Sequence, residues 1–107
     1  MTNRAKYHFD DFTFANYKRL IELAKEKGFQ FILHKDEFTP ERKDIIWRHD
    51  VEFEPDIALN MAQMEYDLGV QATYFFQLHS ECYNLFDDHY RGVFHQIKDL
   101  GHHVGLH

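Results

Sequence analysis

The stretch Ile45-Ile46-Trp47-Arg48-His49-Asp50-Val51-Glu52-Phe53 brings an imidazole and two carboxylates to the end of an apolar run. The run reads as the interior of a strand. Ionisable groups at a hydrophobic strand end are costly to bury unless a metal or a partner compensates them. Strand side chains alternate, so Asp50 and Glu52 leave the backbone on the same side if the strand persists through both. Two readings follow. Asp50, Glu52 and His49 can form the nucleus of a metal or acid/base site, or Arg48 can form a salt bridge to a carboxylate at a solvated strand end.

Further imidazoles stand at comparable places. His34 follows Phe29-Gln30-Phe31-Ile32-Leu33, His79 follows Ala72 to Leu78, and His107 ends His102-His103-Val104-Gly105-Leu106-His107. His103 and His107 have the i, i+4 spacing of a helical metal pair. Gly101 and Gly105 bracket them, however, and β-branched Val104 lies between, so a strand fits better, on which the two still share a face. If the strands are parallel, one edge of the sheet carries His34, His49, Asp50, Glu52, His79 and His107. That is the edge where α/β folds bind ligands. Nitrogen and oxygen donors there suit Zn²⁺ or a similar divalent ion. His34 and His79 are expected to be ordinary strand-end histidines, whereas Asp50 and His107 are expected to meet in one pocket.

The elements that position these groups alternate regularly. Residues 1–12 are mixed, with Phe9 and Phe12 flanking Asp10-Asp11. Thr13 is placed to cap a helix over about 14–27, with Phe14, Tyr17, Ile21 and Ala24 on one face and Leu20 beside them. Gly28 then ends it, and a strand is predicted over 29–33. Residues 35–44, charged and containing Pro40, read as a loop. After a strand at 45–51, Pro55 and its neighbouring acids suit the start of a helix over 55–68. Its predicted core face is Ile57, Met61, Met64 and Leu68. Gly69 precedes a strand at about 72–78, and Ser80 to Asp87 reads as a loop. The last helix spans about 88–100, with Tyr90, Val93, Phe94, Ile97 and Leu100 inward, and Gly101 precedes a strand at 103–107. The repeated order of helix, glycine and strand indicates α/β architecture with parallel strands.

Composition narrows the function classes. The 107 residues, 44% hydrophobic and rich in Phe and Tyr, suit one small globular domain and are too few for a complete α/β barrel. A formal charge of −6 without a long basic run argues against a nucleic-acid partner. The single Cys82 cannot form an intrachain disulfide and is expected to be a buried small hydrophobe. No apolar stretch approaches the roughly 18 residues of a membrane span. The N-terminus also lacks the apolar segment of a signal peptide, so no membrane partner and a cytoplasmic location are expected.

Three blocks in order then carry a resemblance: Arg48-His49-Asp50-Val51-Glu52, Leu68-Gly69-Val70-Gln71-Ala72-Thr73-Tyr74-Phe75-Phe76, and Leu100-Gly101-His102-His103-Val104-Gly105-Leu106-His107. Together they resemble the polysaccharide deacetylase superfamily over roughly residues 45–107. The resemblance implies the first part of a distorted (β/α) barrel and hydrolysis of an N- or O-acetyl group on a carbohydrate, or of a related amide. It implies Asp50 as general base, with Glu52 and His107 as metal ligands for a divalent ion such as Zn²⁺ or Co²⁺. In an alternative register Asp50 is itself the metal ligand.

The chain departs from the family pattern in two respects. Glu52 stands where an aspartate is usual, which changes the reach of that ligand. The family's second metal histidine falls four residues after the first, past His107, and the groups that serve the leaving amine lie further on. The resemblance therefore implies that residues 1–107 are a single, incomplete deacetylase-like domain whose partner is an acetylated glycan. The rival expectation is a non-catalytic α/β fragment or glycan-binding domain, with an exposed sheet edge that invites homo-oligomer formation.

Overall fold

In the computed structural model, which describes residues 13–107, three helices alternate with parallel strands. The mixed stretch 1–12 lies outside the described residues. Helix α1 (Phe14–Glu26) starts at Thr13, whose Oγ1 accepts the Asn16 amide at 3.1 Å. Helix α2 (Pro55–Asp67) starts at Glu54, with Pro55 in the first turn, where its missing N–H costs nothing. Helix α3 (Asp88–Asp99) is capped by Asp87, which accepts the His89 amide at 2.9 Å. Each helix ends at a glycine with positive φ: Gly28, Gly69 and Gly101, at 87°, 73° and 96°. A side chain there would be strained, so these glycines stop the helices and turn the chain into the next strand.

Strand β1 (Gln30–Ile32) pairs in parallel with β2 (Asp44–Ile46), while β3 (Arg48–Val51), β4 (Thr73–Phe76) and β5 (His103–Leu106) form a second parallel sheet in chain order. The single strand expected over 45–51 is thus two short ones, which change partner at Trp47. The cause is partner length: β1 has three residues and matches only 44–46, and Trp47 C=O already accepts the Thr73 amide of β4 at 2.8 Å. The other strands are shorter than expected, at 30–32, 73–76 and 103–106.

Register sorts the side chains into two faces. Arg48 is aligned with Thr73 and His103, and Asp50 with Phe75 and Gly105, on one face. His49 with Tyr74, and Val51 with Phe76, lie on the other, which α2 and α3 cover. Tyr74, Phe76 and Ile97 are wholly buried there, and Val93 nearly so. Each such side chain contributes on the order of 1.5–3 kcal/mol.

Helix α2 does not bury the face expected of it. Its buried residues are Pro55, Ala58, Ala62 and Glu65, whereas Ile57 is 51% exposed and Met61 and Met64 are half-buried. Ala58 and Ala62 enter the core cluster with Tyr74, Phe76, Val93 and Ile97 where α2 packs on α3, which leaves the larger apolar groups at the flank. Cys82 is also exposed rather than buried. It sits at the tip of a small hairpin closed by an antiparallel bridge between His79 and Asn84. No helix among the described residues is long and apolar enough to cross a membrane.

Candidate metal centre

The C-terminal ends of β3 and β5 bring three sequence-predicted residues together. One oxygen each from Asp50 and Glu52 and one ring nitrogen of His107 all lie within 4.8 Å of one another, and all three residues are exposed. Asp50 reaches the site from within β3. Glu52 does not continue that strand, because β3 stops at Val51 and residues 52–53 bend. Its carboxylate converges on Asp50 through the bend rather than through the alternation of an uninterrupted strand. His107 follows β5 directly and is held by its own backbone amide, which donates to Phe76 C=O at 2.7 Å.

Both readings of the Arg48 stretch coexist here. Arg48 Nε donates to Asp50 Oδ1 at 2.7 Å, leaving Oδ2 toward His107 Nε2 at 3.6 Å. The guanidinium also lies 4.3 Å above the Phe75 ring, a favourable cation–π placement. That ring is in turn backed by Gly105, where an added Cβ would stand 3.1 Å from it. A bare glycine, an aromatic ring, an arginine and a carboxylate thus follow one another across three strands. The Arg48 hydrogen bond, with its charge and that of His107, holds the Asp50 carboxyl below its ordinary value against partial desolvation.

The donor set fits a divalent ion. Two carboxylates and an imidazole are the ligand types of Zn²⁺ sites, whose bonds of about 2.0–2.2 Å place donors roughly 3–3.5 Å apart. The observed spread needs about 1 Å of side-chain closure, within reach of exposed groups. Arg48 is paired with Asp50 alone, so Glu52 adds a negative charge to the cluster that a cation would offset. An open cleft of about 450 Å³, a size that suits a small ligand, runs from the two carboxylates toward α2, lined by Asp50, Glu52, Phe53, Ile57, Met61 and Tyr74 among others. His49 lines it and His107 does not, so the pocket expected to be shared by Asp50 and His107 holds only the first.

The remaining histidines of the strand-end group lie elsewhere. His49 is not at the centre; it points to the helix-covered face and meets Glu65 Oε2 at 2.7 Å. His34 is exposed and contacts Thr73 Oγ1 at 3.3 Å, and His79 is exposed in its bridge to Asn84. His103 is also exposed on β5.

What sequence reasoning missed is the polar cluster around Glu65, a fully buried residue. Tyr17 and Tyr74 hydroxyls both donate to its carboxylate, and Trp47 Nε1 donates to the Tyr17 hydroxyl at 2.6 Å. Burial pushes the Glu65 carboxyl upward, but His49 and the two hydroxyls outweigh it, and the net direction is downward. Burial beside this carboxylate drives the Tyr17 and Tyr74 hydroxyls strongly upward, so both remain proton donors. The neighbouring His102 accepts the Ala72 amide on Nδ1 at 3.1 Å and faces Ala62 C=O from Nε2 at 2.9 Å, which places its proton on Nε2. The available signal was the spacing of Ala58, Ala62 and Glu65, which marks a close-packed helix face with a carboxylate at its end.

No family model, curated protein or solved structure matches the chain.

Proposed function

We propose that the chain carries the first half of a metal-dependent deacetylase site, acting on an N- or O-acetylated carbohydrate or a related amide. The observation that carries the reading is the convergence of Asp50, Glu52 and His107 at one end of a parallel sheet. The substrate class rests on the resemblance of the three sequence blocks to polysaccharide deacetylases. In this reading Glu52 and His107 hold a divalent ion such as Zn²⁺ or Co²⁺, and Asp50 is the general base. A bound ion would supply Lewis acidity toward the acetyl carbonyl and a lowered pKa for water. Asp50 takes the proton of the attacking water, and Arg48 keeps its carboxylate ionised and occupies Oδ1, so that Oδ2, on the His107 side, is the oxygen to receive that proton. His107 and Glu52 flank Asp50, and Phe53, 72% exposed, offers an apolar wall to a sugar ring.

The working domain in this reading draws one more imidazole from four residues past His107, together with an acid for the leaving group. The test is acetate release from acetylated chitooligosaccharides and peptidoglycan fragments with added Zn²⁺ or Co²⁺. It compares residues 1–107 with a form extended to carry that histidine. The extended form is expected to turn over and to lose activity in Asp50→Asn, while the 107 residues alone show no appreciable turnover. Turnover by the short chain that vanishes in Asp50→Asn would overturn the need for the extension. A glycan-binding but inactive extended form would favour a non-catalytic binding domain, which a cluster of only three donors also accommodates. The second edge of β5, unpaired among the described residues, is the place where such a domain would self-associate.

A further inference from the structure

The hairpin between β4 and α3 has no role in the reading above, yet it sends one buried polar group to the site's supports. Ser80 Oγ accepts the Cys82 and Tyr83 amides at 3.1 and 3.0 Å, and Leu85 N–H donates to Leu78 C=O at 3.0 Å. This closed turn drives Tyr83, only 4% exposed, back beneath the C-terminal edge of the sheet. Its hydroxyl donates to Val51 C=O and accepts the Gln77 amide at 2.8 Å.

Those two partners stand at telling positions. Val51 is the residue between Asp50 and Glu52, where β3 ends and the chain bends. Gln77 follows Phe76, whose carbonyl holds the His107 amide. One hydroxyl therefore ties the backbone between two of the candidate ligands to the strand end that anchors the third. A purely space-filling ring would need no such hydroxyl, and a buried hydroxyl without these partners would be costly.

We propose that Tyr83 is a positioning residue for the metal centre, fixing the bend at which Glu52 leaves β3 relative to His107. The proposal rests on the reading of Asp50, Glu52 and His107 as a metal site. The ring supplies packing, and the hydroxyl supplies geometry. Removing the hydroxyl frees the Val51 carbonyl to rotate, and Glu52 then samples orientations in which it no longer converges with Asp50 and His107.

The experiment is a Zn²⁺ titration of the wild-type chain, Tyr83→Phe, Glu52→Gln, and Val93→Ala as a core variant that removes packing but none of the Tyr83 hydrogen bonds. Glu52→Gln is expected to lose zinc uptake. Tyr83→Phe should bind about five- to tenfold more weakly, the effect of one hydrogen bond, while Val93→Ala should stay within about twofold. By reciprocity, saturating Zn²⁺ should slow amide hydrogen exchange at Gln77 in the wild type by a similar factor. This second measurement decides the matter if Tyr83→Phe does not fold. Wild-type affinity in Tyr83→Phe, or Gln77 exchange unmoved by zinc, overturns the positioning role and leaves the metal site standing. If neither the wild-type chain nor the form extended past His107 takes up zinc, the metal site is overturned and the positioning role with it.

Discussion

Strand β3 has a carboxylate-centred cluster against each of its faces, and the two could hardly be treated more differently. On the helix side, Glu65 is wholly enclosed and its oxygens are taken up by Tyr17, Tyr74 and His49. Among the described residues no buried side-chain nitrogen or oxygen lacks a hydrogen bond. On the other side, Asp50 and Glu52 stay in water, with Arg48 bonded to Asp50 and an imidazole 3.6 Å from it. A buried carboxylate with both oxygens engaged has little left to offer a ligand. An exposed pair that converges without mutual satisfaction has more. Burial with complete bonding marks a structural role, and convergence without it marks a candidate site.

The largest effect that would test this contrast is loss of the enclosed acid. Glu65→Ala leaves His49, Tyr17 and Tyr74 facing an empty acceptor position, and breaking such a buried arrangement costs about 3–5 kcal/mol. Urea unfolding should show that loss, and a cost below about 1 kcal/mol would collapse the distinction between the two faces. Changes at the open cluster should reverse the pattern. His107→Ala should abolish or sharply weaken zinc uptake, read by calorimetric titration, and Asp50→Asn should weaken it less, yet both should shift unfolding by only about 0.5 kcal/mol, as exposed positions do.

The smallest effect concerns Arg48. In Arg48→Met the Asp50 carboxyl, followed by carbon NMR across the acid range, should titrate higher than in the wild type, because its main hydrogen-bond donor is gone. The sign for stability follows from the same depression. Asp50 favours the folded state above its unfolded pKa of about 3.9, and that contribution fades as pH falls through the lower folded value. Exposure and salt keep it small. An unchanged titration would show that Arg48 is merely stacked on Phe75.

Much of this arrangement can be read from local chemistry. Thr13, Pro55 and the glycines at 28, 69 and 101 announce where helices begin and end, because capping and positive φ are set by single residues. Parallel alternation then predicts that strand ends share an edge, which is how Asp50 and His107 come to meet. Long-range competition is what stays hidden. The break at Trp47 depends on how far β1 reaches, and the buried face of α2 depends on how it meets α3 over the sheet. Glu65 violates the apolar pattern of its helix and is tolerated only because groups from α1, β3 and β4 arrive to bond it. Tyr83 is concealed likewise, since its partners are backbone atoms at the ends of β3 and β4.

Trp47 turns one of these hidden features into something visible from outside. It is the chain's single tryptophan, and its indole N–H is committed to the Tyr17 hydroxyl at the rim of the enclosed cluster, 6.4 Å from the His49 ring. Light emitted by this protein on excitation of its indole therefore comes from the enclosed side of β3. Emission will follow the coming apart of α1 from the sheet, and it will be comparatively dark to events at Asp50, Glu52 and His107. An observer who watches only the indole sees the molecule's scaffold and must find another signal for its chemistry.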